Sequence, residues 1–279
     1  MSRQQEFLKA RGGIPQTKNN NKCSLRDRNF KLEIEYDGTH YYGWQVQNSK
    51  KARVGYRNNQ TIQQVLENVL KEILQEDIKL TVAGRTDSGV HALSQVANFK
   101  SLSRMPLEKL RWSINCLLPE DIKVTRIKNV GLDFNSRFSA KSKLYRYTIL
   151  NRKYSSALLA KRVYFFHHHL DVALMRREAK VLLGRHNFAS FQAADIRQRN
   201  PLRTVKFIKI SKDNDLLHID IQADSFLYNM VRSIAGTLLE IGRGRFPKGS
   251  MEKILKARNR HLAGPTLPAK GLFLVKVRY

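Results

Sequence analysis

The sequence has 279 residues and a large excess of positive charge. Lysine and arginine number 51 against 23 aspartates and glutamates, which gives a formal net charge of +28 at neutral pH. Hydrophobic residues make up 42% of the chain, enough for a packed core, so wholesale disorder is excluded. A chain this basic indicates a polyanionic partner. Nucleic acid is the first candidate, and an anionic membrane is the competing one.

Neither a membrane span nor a metal site is predicted. The chain has no run of 18 apolar residues, and no apolar segment follows Met1 as a secretion signal would require. Cys23 and Cys116 lie in unrelated contexts, and the run His167–His169 lacks the spacing of metal ligands. We therefore expect a protein of the reducing cytoplasm that needs no metal.

Residues 1–29 are predicted to form a flexible basic tail. They hold seven basic and two acidic residues, few apolar side chains and the run Asn19–Asn21. A solvated extension and an RNA-gripping arm both fit this composition, and a mitochondrial transit peptide fits it less well. A second polar and basic segment, residues 49–59, is predicted to be a loop.

The first folded half is predicted to alternate strands and helices. Alternating apolar residues indicate a strand over 30–36, and apolar residues at helical spacing after Thr61 predict an amphipathic helix. The elements expected after that helix are a strand and turn over 79–90, a strand near 93–99, a helix from Pro106 to Leu118 and a strand over 122–127.

The second half repeats this alternation of element types. The expected elements are a strand containing Tyr145, Tyr147 and Ile149, a helix capped by Asp171 and ending at Gly184, strands at 204–210 and 216–223, a helix from Phe226 to Ile241, and a last strand with Phe273, Val275 and Val277 on one face. Strands and helices in both halves predict an α+β fold with a mixed or mainly antiparallel sheet. The domains are expected at 30–139 and 140–279, with the boundary near Ser139.

The most unusual local sequence runs from Ala83 to Ala92, where two glycines bracket Arg85 and Asp87. Such a turn can hold a carboxylate both exposed and rigid. Arg85 is expected to keep Asp87 ionised, because a nearby cation lowers the pKa of a carboxyl group. An ionised, fixed aspartate can act as a nucleophile or a general base. The competing interpretation is an ordinary Asp-Ser-Gly turn in which Asp87 bonds only its own backbone.

Two further positions are candidates for chemistry. Tyr145 and Tyr147 share one strand face, which suits stacking on an unpaired base, although core packing is the commoner use of such residues. Arg232 lies within an otherwise apolar helix, so we expect a carboxylate or phosphate partner for it. Phosphate-binding, dinucleotide-binding and esterase motifs are all absent from the sequence.

A series of short motifs, in order along residues 30–279, resembles the tRNA pseudouridine synthase A family. The matching segments are Asp37–Thr39, Gly43–Gln45, Gly84–Asp87, Gly89–Ala92, Asn115, Leu118–Pro119, Asp121–Ile122, Arg137–Ala140, Tyr145–Tyr147, His186–Phe188, Phe191, Phe226–Arg232, Gly236–Leu238, Gly242–Gly244, Pro268 and Gly271–Leu272. Ser88 and Ser94 depart from the residues usual in that family.

The resemblance implies a specific activity. Members convert uridine to pseudouridine at positions 38 to 40 of the tRNA anticodon stem-loop, without a cofactor. The family's catalytic aspartate falls on Asp87, its stacking tyrosine on Tyr145 and its active-site basic residue on Arg232. Arg85 matches a residue that helps to extract the base, and His91, in the same motif, is expected to contact substrate. The implied architecture is two similar α/β halves around a long, mainly antiparallel sheet with a basic central cleft, assembled as a homodimer that holds tRNA.

Two alternatives remain open at this point. The first is a pseudouridine synthase that acts on other RNA sites. The second is an RNA-binding module that keeps the cleft without catalysis, although the presence of Asp87, Tyr145 and Arg232 together argues against it.

Overall fold

The computed structural model describes residues 28–45, 60–193 and 200–279. Most of the predicted basic tail and the predicted loop at 49–59 lie outside these residues. Arg28 and Asn29, expected to be in the tail, already belong to the first strand. The first strand therefore begins two residues earlier than predicted.

The described residues form ten β-strands and five α-helices. The strands are β1 (Arg28–Tyr36), β2 (Thr81–Val82), β3 (His91–Ser101), β4 (Ile122–Val130), β5 (Ser142–Asn151), β6 (Tyr164–Phe166), β7 (Gly184–Asn187), β8 (Leu202–Asp213), β9 (Leu216–Ala223) and β10 (Leu272–Arg278). The helices are α1 (Ile62–Leu74), α2 (Leu107–Leu117), α3 (Val172–Ala179), α4 (Met230–Gly242) and α5 (Ser250–Ala257). The predicted α+β class is confirmed.

All ten strands belong to one sheet. Its main path runs in the order β4-β1-β3-β10-β5-β9-β8-β7, while β2 pairs with β3 and β6 with β5. The β3–β10 and β5–β6 pairs are parallel and the others are antiparallel. The last strand, β10, thus joins the strands of the first half to those of the second. Leu274 of β10 lies opposite both Ala92 and Tyr145, which brings the start of β3 close to the middle of β5.

Helix α1 follows its sequence pattern closely. The side chain of Thr61 accepts a hydrogen bond from the backbone N–H of Gln64 at 3.3 Å, which caps the first turn as predicted. Ile62, Leu66 and Leu70 are fully buried on one face. Their spacing of four residues places them on a single stripe against the core, so burial of that stripe stabilises the helix.

Helix α4 begins later than predicted. The apolar spacing from Phe226 suggested a start there, but the first helical residue is Met230. The cause is Asn229, whose φ of +59° is left-handed, a conformation that a right-handed helix cannot include. Phe226 is consequently outside the helix and packs against Tyr145.

Two other expectations need correction. Helix α3 ends at Ala179, and a single 3₁₀ turn over residues 180–182 separates it from Gly184, which opens β7. In β10 the pairing with β5 shifts between Leu274 and Lys276. Because such a bulge breaks strict alternation, the buried residues are Leu272, Leu274 and Val277, not the predicted set of Phe273, Val275 and Val277.

No helix among the described residues is long and apolar enough to cross a membrane.

Candidate active site

Asp87 lies in the loop that connects β2 to β3. The backbone N–H of Val90 donates to the carbonyl of Asp87 at 3.1 Å, and the N–H of Trp44 donates to the carbonyl of Thr86, also at 3.1 Å. Gly43 has a φ of +82° and lies directly on this loop, where an added Cβ would be 2.5 Å from the carbonyl oxygen of Thr86. Position 43 therefore needs glycine both for its conformation and for its space.

Side chains from β1 and β3 form hydrogen bonds with the loop that carries Asp87. The hydroxyls of Tyr36 in β1 and Thr86 share a buried hydrogen bond of 2.7 Å. The amide of Gln95 in β3 donates to the carbonyl of Gly84 at 2.9 Å. Tyr36, Thr86 and Gln95 are all buried, so rigid sheet structure fixes the backbone that carries Asp87.

Arg232, in the first turn of α4, points at Asp87. Its Nε donates to the carbonyl of Leu267 at 2.6 Å, and one terminal nitrogen, Nη1, donates to Oδ1 of Asn229 at 2.8 Å. The same Nη1 lies 3.7 Å from Oδ2 of Asp87, which confirms that this helical arginine has a carboxylate partner. Two short hydrogen bonds thus orient the guanidinium, and the contact with Asp87 is a looser ion pair.

The segment that holds Arg232 is itself packed tightly on α4. A Cβ added to Gly236 would lie 1.8 Å from the carbonyl oxygen of Pro265. This close approach is possible only at glycine, and it places the carbonyl of Leu267 within reach of Arg232.

Burial raises the pKa of Asp87 above its ordinary value of 3.8, although the charge of Arg232 partly opposes the rise. The sequence-based prediction was the reverse, a low pKa maintained by Arg85. It was wrong because the charge that acts on Asp87 comes from Arg232, a distant residue in the sequence, and because desolvation outweighs it. Arg85 is exposed at the surface of the loop.

Tyr145 lies in β5 and forms the wall of the site beside Asp87. Its ring meets Phe226 edge to face, with ring centres 5.0 Å apart. Burial raises the pKa of Tyr145 strongly, and Tyr36 and Asp87 add to the rise, so the phenol stays protonated. The site therefore combines a partly exposed carboxylate, a fixed cation and an aromatic ring.

Comparisons with known proteins show which family the chain belongs to. A family model described as tRNA pseudouridine synthase matches residues 33–139 and 179–279. The chain is 43% identical over 252 residues to tRNA pseudouridine synthase A of Caldicellulosiruptor saccharolyticus, covering 90% of this chain and 100% of that protein. The corresponding protein of Thermoanaerobacter sp. is 41% identical over 252 residues, with the same coverage of 90% and 100%.

The chain belongs to the tRNA pseudouridine synthase family. The resemblance found in the sequence motifs is confirmed, and with it membership of a family of enzymes, the pseudouridine synthase isomerases. A third relative, tRNA pseudouridine synthase A of Actinobacillus pleuropneumoniae, is 41% identical over 248 residues, covering 89% of this chain and 91% of that protein. A solved structure of an H/ACA RNP bound to a substrate RNA matches 76% of this chain and 53% of its own, with a TM-score of 0.29 at 10% identity, too low to add to the argument.

Among the residues that the structure describes, no group of three or more histidine, cysteine, aspartate or glutamate side chains is arranged to hold a metal ion. The three consecutive histidines, His167–His169, are exposed just after β6, and the first two rings are tilted by 39° with centres 3.9 Å apart. Cys116 is exposed as a free thiol, while Cys23 lies outside the described residues.

His91 has a different position from the one expected for a substrate-binding residue of this synthase. The side chain is 2% exposed, and its Nδ1 lies 3.0 Å from Oδ1 of Asp37. Its Nε2 faces the carbonyls of Lys161 and Lys270 at 3.1 and 3.2 Å, and the ring stacks on Phe273. Because protein groups occupy both nitrogens, we replace the predicted substrate contact with a structural role.

Sequence reasoning also missed an ion pair beside Tyr145. Arg146 points to the opposite face of β5, where its Nε and one terminal nitrogen donate to the two carboxylate oxygens of Asp220 at 2.7 and 2.9 Å.

Tyr147 lies on the same face of β5 as Tyr145, but its hydroxyl donates to the carbonyl of Pro268 and its ring is fully buried. Both tyrosines in the motif belong to the buried core, and Tyr145 is the one whose pKa the charge of Asp87 raises. The alternation of residues showed that they share a face and did not distinguish these roles.

Proposed function

We propose that this synthase isomerises uridine to pseudouridine at positions 38 to 40 of the tRNA anticodon stem-loop. The observation that carries the proposal is the environment of Asp87, a partly exposed carboxylate with a raised pKa, held between Arg232 and the ring of Tyr145. A strongly perturbed group with one defined charge partner is typical of a catalytic site.

The reaction rearranges bonds without adding or removing atoms. The bond from N1 of uracil to C1′ of the ribose breaks, C5 of the base bonds to C1′, and the proton on C5 is lost while N1 gains one. Asp87 performs either attack on the nucleotide or removal of a proton, and both roles require its ionised form. Arg232 favours that form at the moment when it is needed.

The target base must leave the stem before this chemistry. Unstacking and unpairing cost a few kcal/mol, and an aromatic ring that stacks on the base offsets part of that cost. We assign this stacking role to Tyr145, whose ring borders the site. Arg85, exposed on the same loop as Asp87, is assigned to extraction of the base from the stem.

We also propose that the enzyme works as a homodimer in the cytoplasm. The family resemblance supports the dimer, and an exposed free thiol at Cys116 suits a reducing compartment. Light scattering of the purified protein should give twice the mass of one chain. A mass of one chain that persists when tRNA is added would contradict the dimer.

The decisive test uses unmodified tRNA and chemical mapping of pseudouridine. The wild-type protein should convert uridines at positions 38 to 40, and Asp87→Asn should bind tRNA without converting them. Conversion only outside the anticodon stem-loop would favour a synthase with another site range. Binding without any conversion by the wild type would favour a non-catalytic RNA-binding module.

A further inference from the structure

Lys143 lies in the candidate site without an assigned role. It precedes Tyr145 by two residues in β5, and residues two apart in a strand share a face. Its neighbours across the sheet are Ala223 of β9 and Val277 of β10. Its side chain is therefore on the face of the sheet that carries Tyr145.

The side chain of Lys143 crosses the loop that holds Asp87. A Cβ added to Gly84 would lie 3.0 Å from Cε of Lys143 and 3.4 Å from its Nζ. Since Gly84 does not have a positive φ, glycine serves here to leave room for the lysine rather than to permit an unusual backbone conformation.

The ammonium group of Lys143 has no protein partner within the described ranges 28–45, 60–193 and 200–279. Nζ donates no hydrogen bond to those residues, and no carboxylate oxygen among them lies within 4.0 Å of it. Burial lowers the pKa of Lys143, the charge of Arg137 lowers it further, and Asp224 acts in the opposite direction. A largely desolvated cation with no carboxylate in direct contact is unfavourable, and an anionic ligand would reduce that penalty.

The RNA backbone supplies such an anion at every nucleotide. Protein contacts with phosphate commonly fix the register of the nucleic acid, while other groups recognise the base. Lys143 and Tyr145 are adjacent on one strand face, so the lysine is placed to hold the backbone of the nucleotide whose base stacks on the tyrosine.

We propose that Nζ of Lys143 binds the backbone phosphate adjacent to the target uridine and so fixes the extruded nucleotide over Asp87. This proposal rests on the proposed function, because it assumes a flipped nucleotide at this site. It adds a substrate-binding residue that acts on the backbone rather than on the base.

The test combines a protein variant with a neutral RNA linkage. Lys143→Met removes the charge at nearly constant length, and one methylphosphonate beside the target uridine of an anticodon stem-loop RNA removes a single phosphate charge. Each change alone should lower kcat/KM by about 10- to 100-fold, the range expected for one hydrogen bond to a charged group. For the variant, the loss should lie mainly in KM, because the contact is present in both the bound and the reacting state.

Measuring Lys143→Met on the RNA with the neutral linkage distinguishes a direct contact from a general charge effect. If Lys143 binds that phosphate, the variant should lose nothing more when the linkage is neutral. Multiplicative losses at the linkages on both sides of the target would overturn the proposal, as would an activity of Lys143→Met within twofold of the wild type.

Two further variants control for charge and folding. Lys276→Met removes one charge from the opposite face of the sheet, where Lys276 pairs with Leu144 and is exposed, and it should retain wild-type kcat/KM. Gly84→Ala keeps the charge but displaces the flexible end of Lys143, and it should lose activity with an unchanged melting temperature. An equal loss in Lys276→Met would overturn a specific contact.

Failure of the proposed function can be distinguished from failure of the contact between Lys143 and the phosphate. If the wild type forms no pseudouridine in this RNA, the proposed function fails and the same cycle is measured as the Kd for the stem-loop. Coupling between Lys143 and the phosphate in Kd would then support the contact alone, and its absence would overturn the contact as well.

Discussion

Two aspartates at strand–loop junctions of this enzyme have pKa values shifted in opposite directions. Asp37 follows β1 and accepts hydrogen bonds from the backbone N–H of Thr39 at 3.0 Å and from Nε of Arg162 at 2.9 Å, and Nδ1 of His91 lies 3.0 Å away. Burial raises its pKa, but the hydrogen bonds from His91 and Thr39 outweigh burial and lower the pKa well below the ordinary range.

Asp87 precedes β3 and has only a loose ion pair with Arg232, at 3.7 Å. Its side chain is more exposed than that of Asp37, 34% against 21%, yet its pKa is raised. Burial raises the pKa of both carboxyl groups, and the difference lies in the hydrogen bonds from His91 and Thr39, which reverse the effect of burial at Asp37, whereas the charge of Arg232 only partly opposes it at Asp87.

The largest expected difference between the two is catalytic. Asp87→Asn should lower kcat by about 10³-fold or more, the order of loss when a group that transfers a proton or forms a bond is removed. Asp37→Asn should keep kcat within a few-fold of the wild type, provided that folding is intact. Single-turnover pseudouridine formation measures both, and a similar loss in the two variants would remove the distinction.

For folding stability, substitution of Asp37 should have a larger effect than substitution of Asp87. Asp37→Ala should lower the free energy of unfolding by about 2 to 3 kcal/mol, because several charge-assisted hydrogen bonds are lost. Asp87→Asn should be at least as stable as the wild type at neutral pH, since it removes a carboxylate that is costly to bury.

The two signs follow from linkage between protonation and folding. The contribution of Asp37, with its lowered pKa, is present above its unfolded pKa and is lost as the pH falls through the folded value. The contribution of Asp87, with its raised pKa, is present at low pH and is lost as the pH rises through the folded value. Urea unfolding at several pH values checks both, and a large destabilisation by Asp87→Asn would contradict the comparison.

Tyrosines of β5 offer a smaller contrast of the same kind. Tyr145→Ala should retain tRNA binding, but its turnover should fall by roughly 5- to 150-fold, which corresponds to the free energy of stacking on one base. Tyr145→Phe keeps the aromatic ring and should recover most of this loss. Tyr147→Phe removes only the hydrogen bond to Pro268, so it should cost about 1 kcal/mol of stability and leave turnover unchanged. Turnover of Tyr145→Ala equal to wild type would refute the stacking role.

Local chemistry explains why some of this was predictable from the sequence. Helix α1 has a capping threonine and a clean apolar stripe, and β8 and β9 alternate around a short turn, so their existence follows from residues close in the chain. The start of α4 and the bulge in β10 do not, because they depend on one left-handed residue and on a shift in pairing.

The same limit applies to the site. The motif around Asp87 singled out a carboxylate that the structure places beside Arg232, but the pKa prediction relied on Arg85, a neighbour in sequence. The neighbours that matter come from elsewhere in the chain: Arg232 from α4 supplies the charge, and Gly43 supplies the close support under the loop. Tertiary contacts of this kind leave no local periodicity, and only the motif resemblance indicated that Arg232 belongs with Asp87.

The most direct test of the contrast is a carboxyl ¹³C NMR titration of the free enzyme, with Asp37→Asn and Asp87→Asn used to assign the two signals. Asp87 should titrate above the ordinary value of 3.8, and Asp37 below it. A midpoint for Asp87 at or below that of Asp37 would contradict the account, because Asp87 would then be as fully satisfied as its structural counterpart.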